Sequence, residues 1–279
     1  MEIVRHGTPE AYAAAAGPLL RADPLRHTIA LTALDGMCRD GHPAAVLLTV
    51  HEHGEVTAAL LRSPGRPALV SAVPPRLAAA VEAELAAADP WLPGAGGTLP
   101  EVTAFTAAYL ARTGGRARTR MQSRLYALGE LVPPAGVAGS ARRAGPADAG
   151  LLASWRVAFA EEADGAPVDV GQAREVVLSS LRLGTAELLW EVDGRPVAQA
   201  TARPVVAGMS RIGPVYTPPE HRGRGYAAAV TAAASRWALD AGAAHVVLFT
   251  DLANPLTNRL YPRLGYRPVH DTAELDFSS

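Results

Sequence analysis

A chain of 279 residues, 49% hydrophobic and 19% charged, has a globular composition, which excludes a disordered or low-complexity protein. Its formal net charge of -1 supplies no general electrostatic drive toward nucleic acid or an anionic membrane. One cysteine, Cys38, excludes an internal disulfide and reads as a packed small residue, and no apolar run approaches the roughly 18–20 residues that span a bilayer. The start of the chain lacks the basic-then-apolar layout of a signal peptide. These features lead us to expect a soluble, cytoplasmic protein, monomer or homodimer, with no nucleic-acid or membrane partner.

The length accommodates two domains of ordinary size. Residues 8–17 and 24–36 have helical patterns, and 44–53 and 55–62 read as strands around a turn at Gly54. A further strand is expected at 67–73, helices at 76–89 and 98–114, and a closing strand at 123–131. His51 and His53 would share one face of their strand, as metal ligands do, but no third ligand is identifiable and no metal is expected. The basic residues Arg116, Arg118, Arg120 and Arg124 read as a solvated edge. The stretch 131–146, punctuated by Pro133, Pro134, Gly136 and Gly139, has no helical or strand period and marks a boundary. It separates a domain at 1–134 from one at 140–279.

The second half opens with helices at 147–163 and 170–184. A hairpin over 185–205 turns at Asp193-Gly194, a dipeptide favoured in tight type I′ turns. A strand at 209–217 leads through a glycine-rich loop into a helix at 224–241, followed by a strand at 244–251 and a short helix at 254–265 that starts on Pro255. This order predicts a mixed α/β sandwich.

The loop carries the chemistry. Gly223 and Gly225 let the backbone turn tightly and approach a ligand, and the unpaired N–H groups of the following helix face whatever lies over it. That is an anion site with phosphate as its usual occupant, to which Arg222 and Arg224 add charge. The loop lacks the P-loop pattern and the three-glycine dinucleotide pattern. The run Arg222-Gly223-Arg224-Gly225-Tyr226-Ala227 matches Gln/Arg-x-x-Gly-x-Gly/Ala instead, and Asn254, Tyr261 and Leu264-Gly265-Tyr266 form a second block in the expected order. Together they resemble the GNAT superfamily of acyl-CoA-dependent N-acyltransferases over residues 140–279.

The resemblance implies a mixed, mostly antiparallel sheet flanked by helices. The N-terminal half, with its similar element order, would be a second, degenerate copy. The co-substrate implied is acetyl-CoA or another acyl-CoA, the acceptor a small-molecule amine, and the mechanism direct attack without a covalent enzyme intermediate. The backbone at Val215 and Thr217 would meet the pantetheine amides, and N–H groups from Arg222 through Gly223, Arg224, Gly225 and Tyr226 to Ala227 would hold the pyrophosphate. Asn254 would bond pantetheine or order its loop, Asn258 would line the same wall, and Tyr261 would give a proton to the departing thiolate. Candidates for a base are Glu162 and Asp251, while Glu161, Asp164 and Tyr216 would shape the acceptor pocket. In the N-terminal half, Pro74 and Pro75 stand where the phosphate loop should be and remove backbone donors, so that half is expected to be structural or to wall the acceptor pocket. Two rival readings are a non-catalytic acyl-CoA sensor or scaffold, and an acyltransferase using a larger acyl group or a protein amine.

Overall fold

The computed structural model describes residues 1–40, 45–164 and 168–278. Two compact units emerge. The first comprises Met1–Leu125, Thr250–Ala253 and Val269–Ser279, and the second Tyr126–Phe249 and Asn254–Pro268.

In the first unit the chain runs β1 (Glu2–Arg5), α1 (Pro9–Ala22), α2 (Thr28–Asp40), β2 (Val46–Glu52), β3 (Glu55–Arg62), β4 (Ala68–Ala72), α3 (Ala78–Ala88), β5 (Gly94–Thr98), α4 (Leu99–Thr113) and most of β6 (Arg116–Leu128). Strands β1 to β4 pair antiparallel in sequence, and β4 pairs parallel with β5 through Ala68↔Ala95 and Leu69↔Gly96. Leu48, Leu60, Val70, Val81, Leu85 and Phe105 are fully buried between this sheet and α3 and α4. His53 lies past the end of β2 in a turn with φ 53, followed by Gly54 at φ 85. It therefore does not share a strand face with His51, contrary to the expected alternation. Cys38 is exposed rather than packed.

The second unit contains β7 (Ser140–Arg143), α5 (Ala149–Asp164), α6 (Val170–Arg182), β8 (Ala186–Val192), β9 (Arg195–Ala202), β10 (Met209–Tyr216), α7 (Tyr226–Asp240), β11 (His245–Asp251, through Phe249) and α8 (Pro255–Arg263), and then the start of β12 (Tyr266–Ser278). Its strands are ordered β11-β10-β9-β8-β7, antiparallel except for the parallel pair β10 and β11. Asp193 and Gly194, at φ 50 and 71, make the expected type I′ turn between β8 and β9. On one face α7 packs Val230, Ala234 and Ala238 against Leu188, Ala198, Ala200 and Ile212. On the other, Leu152 of α5 and Val177 of α6 cover Leu189. Both units are mixed, mostly antiparallel sheets flanked by helices, with the same succession of two helices, three strands, helix, strand, helix.

Besides β1, for which no strand was expected, three elements depart from the sequence reading. The stretch 131–146 contains strand β7, whose Ala141 pairs with Trp190. The basic run belongs to the long strand β6, where Arg118 reaches Asp276 at 3.3 Å, Arg120 pairs with Glu274, and Arg124 reaches Asp271 at 2.6 Å. Alternation along β6 and opposed acids on β12 put these guanidiniums to use as cross-strand pairs. The third is β5, whose sequence GAGGT has little intrinsic strand propensity.

Strand β5 forms because its glycines admit a close neighbour. Residues Thr272–Asp276 of β12 pair antiparallel with Gly94–Thr98 inside the first unit. A Cβ at Gly94 would overlap the carbonyl oxygen of Leu275. Substitution Gly94→Ala forces that ladder apart, and urea denaturation is expected to show a loss of about 3 kcal/mol, the upper range for overpacking. An unchanged midpoint would show that the strand moves aside without cost.

Candidate active site

The ladder between β10 and β11 is short. It holds at Met209↔His245, Ser210↔Val246 and Arg211↔Val247 and continues no further. Beyond Arg211, β10 keeps its other neighbour, β9, but with a register shift between Ile212 and Val215, after which Val215 faces Ala200 and Tyr216 faces Gln199. The bulge re-aims the strand away from β11. An opening results, and the backbone edge of residues 212–217 forms one wall, with Pro214 contributing no N–H.

Past the opening, a single 3-10 turn at Pro219–His221 uses the Arg222 N–H, which donates to the Pro219 carbonyl at 3.2 Å. Gly223 and Gly225 then adopt φ 77 and 83, and Gly225 is the N-cap of α7, with no side chain to satisfy the helix start. The first bond of this turn runs from the Ala229 N–H to the Gly225 carbonyl, 3.0 Å. The N–H groups of Tyr226, Ala227 and Ala228 have no helical acceptor, and they sit at the positive end of the helix dipole. A Cβ at Gly225 would press on Val137 at 3.1 Å, whereas one at Gly223 meets nothing within 4 Å. Gly223 is thus required by its backbone angle, and Gly225 by angle and packing together. The N–H groups from Gly223 to Ala227 are the candidates for an anion cradle.

Arg222 points its guanidinium back along the loop. Its Nε donates to the Thr217 carbonyl at 2.9 Å, and one Nη donates to both Glu162 oxygens at 2.8 and 2.6 Å. The same guanidinium lies over the Tyr216 ring, 5.9 Å from its centroid. The Tyr216 hydroxyl also donates to Glu162, at 3.2 Å. Burial, then the neighbouring Glu162 carboxylate, raise the Tyr216 pKa. Trp155 and Phe159 of α5 pack on the Tyr216 ring at 6.3 and 6.5 Å. Glu162 therefore ties α5 to the loop and accepts three hydrogen bonds.

The other expected acids are placed differently. Glu161 is exposed, and the side chain of Asp164 lies outside the described residues. Asp251 belongs with the first unit, where its Oδ1 accepts from the Ala253 N–H at 2.9 Å. Arg224 is exposed.

Helix α8 brings the second block together. Asn254 is its N-cap and accepts from the N–H groups of Leu256 and Thr257 at 3.1 and 3.3 Å. Asn258 donates to the Asn254 carbonyl at 2.8 Å and accepts from the Tyr126 hydroxyl at 3.4 Å. One turn later Tyr261 is buried, its ring between Tyr126 and Tyr266 at 6.4 and 6.0 Å. Burial pushes its pKa up to about 12, so the phenol keeps its proton throughout the physiological range.

Sequence reading did not single out the polar face beneath α5. Arg156 pairs with Glu187, and the Thr201 hydroxyl donates to Glu187 at 2.6 Å. Glu187 is fully buried, and so is Gln199, neither of whose amide atoms has a protein partner. The signal was the alternation along β9, which places Gln199, Thr201 and Arg203 on one face.

In the first unit the corresponding place is filled by side chains. There the parallel ladder also ends early, at Leu69↔Gly96. Arg26 Nε donates to the Ser71 carbonyl at 3.3 Å while its guanidinium pairs with Glu101, and His27 Nδ1 lies 3.1 Å from the Ser71 hydroxyl. Burial holds the His27 pKa down to about 4, so the imidazole is neutral there. No glycine occurs between β4 and α3, and Pro74 and Pro75 occupy the turn.

Comparison with known proteins agrees with this geometry. The model of the Acetyltransferase (GNAT) family matches residues 156–266. The fold resembles that of an acetyltransferase from the GNAT family of Colwellia psychrerythraea, with TM-score 0.62 and 15% identity over 100% of both chains. It also resembles a GCN5-related N-acetyltransferase from Sphaerobacter thermophilus, with TM-score 0.62 and 21% identity over 99% of this chain and 95% of that one. A tandem GNAT protein from the clavulanic acid biosynthesis pathway matches with TM-score 0.59 and 16% identity over 99% and 98% of the two chains. No curated protein matches the sequence significantly. The glycine loop, the parted strands and the Asn254–Tyr261 helix all fall within the segment that the model of the GNAT acetyltransferase family matches.

Proposed function

We propose that this protein moves an acetyl group from acetyl-CoA to the amine of a small molecule by direct attack. The observation that carries the reading is the opening between β10 and β11, followed by the glycine loop and the start of α7 with its free N–H groups. The donor set fits the group: consecutive N–H groups suit a pyrophosphate, and the free edge at Val215 and Thr217 suits a chain of amides. Acetyl-CoA would supply an activated thioester and a thiol as leaving group. The remaining steps fall to the protein.

Tyr261 is assigned to the leaving sulfur. A thiol ionises near 8.5, well below the Tyr261 pKa of about 12. The phenol therefore stabilises a thiolate by donating a hydrogen bond and has no thermodynamic reason to surrender its proton. Asn254 caps α8 and Asn258 braces it, so both act by fixing the ring of Tyr261. With Glu162 engaged by Arg222 and Tyr216, the acceptor's proton is assigned to solvent, and the amine enters the reaction neutral. The first unit is assigned a structural role, since Arg26 and His27 hold the backbone that a second acyl donor would need.

Three outcomes test this reading. Tyr261→Phe removes one hydrogen bond to a charged atom, worth about 1.5–3 kcal/mol. Turnover should fall roughly ten- to hundredfold with acetyl-CoA affinity unchanged in calorimetry, and undiminished turnover would remove Tyr261 from the reaction. Gly225→Glu puts a carboxylate and a Cβ in the cradle; acetyl-CoA binding should be lost while the circular dichroism spectrum is retained. In the wild type, log(kcat/KM) should rise with pH as the amine deprotonates, with no falling limb from Tyr261 below about pH 11. A falling limb at pH 8–9 that Tyr261→Phe abolishes would contradict the hydrogen-bond role.

A further inference from the structure

The face of the second unit's sheet that lies under α5 and α6 carries more positive charge than its own carboxylates neutralise. Strand parity fixes which residues share it. Ile212 and Ala202 point to the α7 side with Val230 and Ala234, so Arg211 points to the opposite side. Leu189 faces α5 and α6, and through the pairings Glu187↔Thr201 and Leu189↔Gln199 the same face carries Thr201 and, two residues on, Arg203. The backbone of Arg203 donates to the Arg211 carbonyl at 3.0 Å, which sets the two side chains next to each other.

Three guanidiniums, those of Arg156, Arg203 and Arg211, meet on this face. The carboxylate of Glu187 sits among them and is paired with Arg156. Among the described residues, neither Arg203 nor Arg211 forms an ion pair or side-chain hydrogen bond, and both keep some access to solvent. Arg211 is nevertheless desolvated: burial, then the charge of Arg203, draw its pKa down to about 10. Burial and then Arg156 lower that of Arg203, with Glu187 opposing. Two like charges side by side without a counterion, one of them partly buried, cost free energy unless an anion joins them. Arg211 is also the last residue of the β10–β11 ladder, so the pair adjoins the point where the strands part.

We infer that Arg203 and Arg211 bind an anionic group of the acceptor, so that the substrate is an amine that also carries a carboxylate or comparable anion. The guanidinium forks suit such a group, since each offers parallel N–H donors. Gln199, buried and unpartnered on the same face, adds a polar lining between this pair and Tyr216. The inference rests on the acetyltransferase reading for the identity of the substrate, although the anion site stands on the geometry of the arginines.

The test begins with sulfate, titrated at constant ionic strength in the presence of saturating CoA so that the glycine loop is filled. Wild-type protein should gain several degrees in melting temperature. The Arg203→Gln, Arg211→Gln double variant should gain less than a third as much while binding CoA equally in calorimetry. Equal gains in the two proteins, or no gain in the wild type, overturn the site. If the double variant fails to fold, the single change at exposed Arg203 is held to the same comparison. Thiol release with amino acids and their carboxamides then tests the substrate class. The acid should exceed its amide at least tenfold in kcat/KM, and the double variant should erase that ratio; a wild-type ratio near one overturns the assignment. Failure of CoA to bind either protein would defeat the acetyltransferase reading alone, and the sulfate comparison, run without CoA, would still decide for or against the arginine pair.

Discussion

Three residue pairs join β10 to β11, and then the ladder stops. Parallel strands that stayed paired would leave no backbone edge for a ligand, and continuing the ladder past Arg211 would close the site. The bulge between Ile212 and Val215 prevents this by turning β10 toward β9, which it can follow without losing its hydrogen bonds there. The loop beyond then has to change direction within a few residues. Gly223 and Gly225 make that possible at positive φ, where a side chain would be strained. The N–H groups at the start of α7 are therefore unpaired as a direct result of how the strands separate.

The same cause explains the ties around the loop. A segment with one free edge and two positive φ angles has little regular structure to hold it, and Arg222 supplies the restraint. Its guanidinium links the Thr217 carbonyl, the Tyr216 ring and Glu162 on α5. The Arg222–Glu162 pair is about half exposed, so its contribution to stability is small. Its effect is positional: α5 and the loop are kept in one arrangement. Glu162, a candidate base from the sequence, is also part of this brace, a role that depends on partners far from it along the chain.

Much of this was legible in the sequence because it is local. The glycine loop, the Asp193-Gly194 turn, the Asn254 cap and the alternating strands each depend on a few consecutive residues. What escaped was non-local. Strand β5 reads as loop because GAGGT offers no side chains to pattern, and its strand state is imposed by residues 272–276. The basic run of β6 is largely solvent-exposed as expected, but its cross-strand acids could not be read because they lie far along the chain. Gln199 and Arg211 were invisible as a pair, since only the register of β9 against β10 places them on one face. Asp251 ends a central strand as expected, yet it is held in a turn of the first unit.

That dependence of β5 on residues 272–276 also sets an order of events during synthesis. Residues 1–125 contain β1 to β5 but not the strand that completes their sheet, which is made later. At ordinary translation speeds of about 5–20 residues per second, β5 waits roughly ten to thirty seconds with one edge open. An open edge is normally an invitation to aggregate. Here the waiting edge is glycine-rich and nearly devoid of side chains, a kind of strand whose register is weakly specified. The glycines that admit β12 so closely therefore leave the unfinished edge with little of its own to fix a register until residues 272–276 arrive.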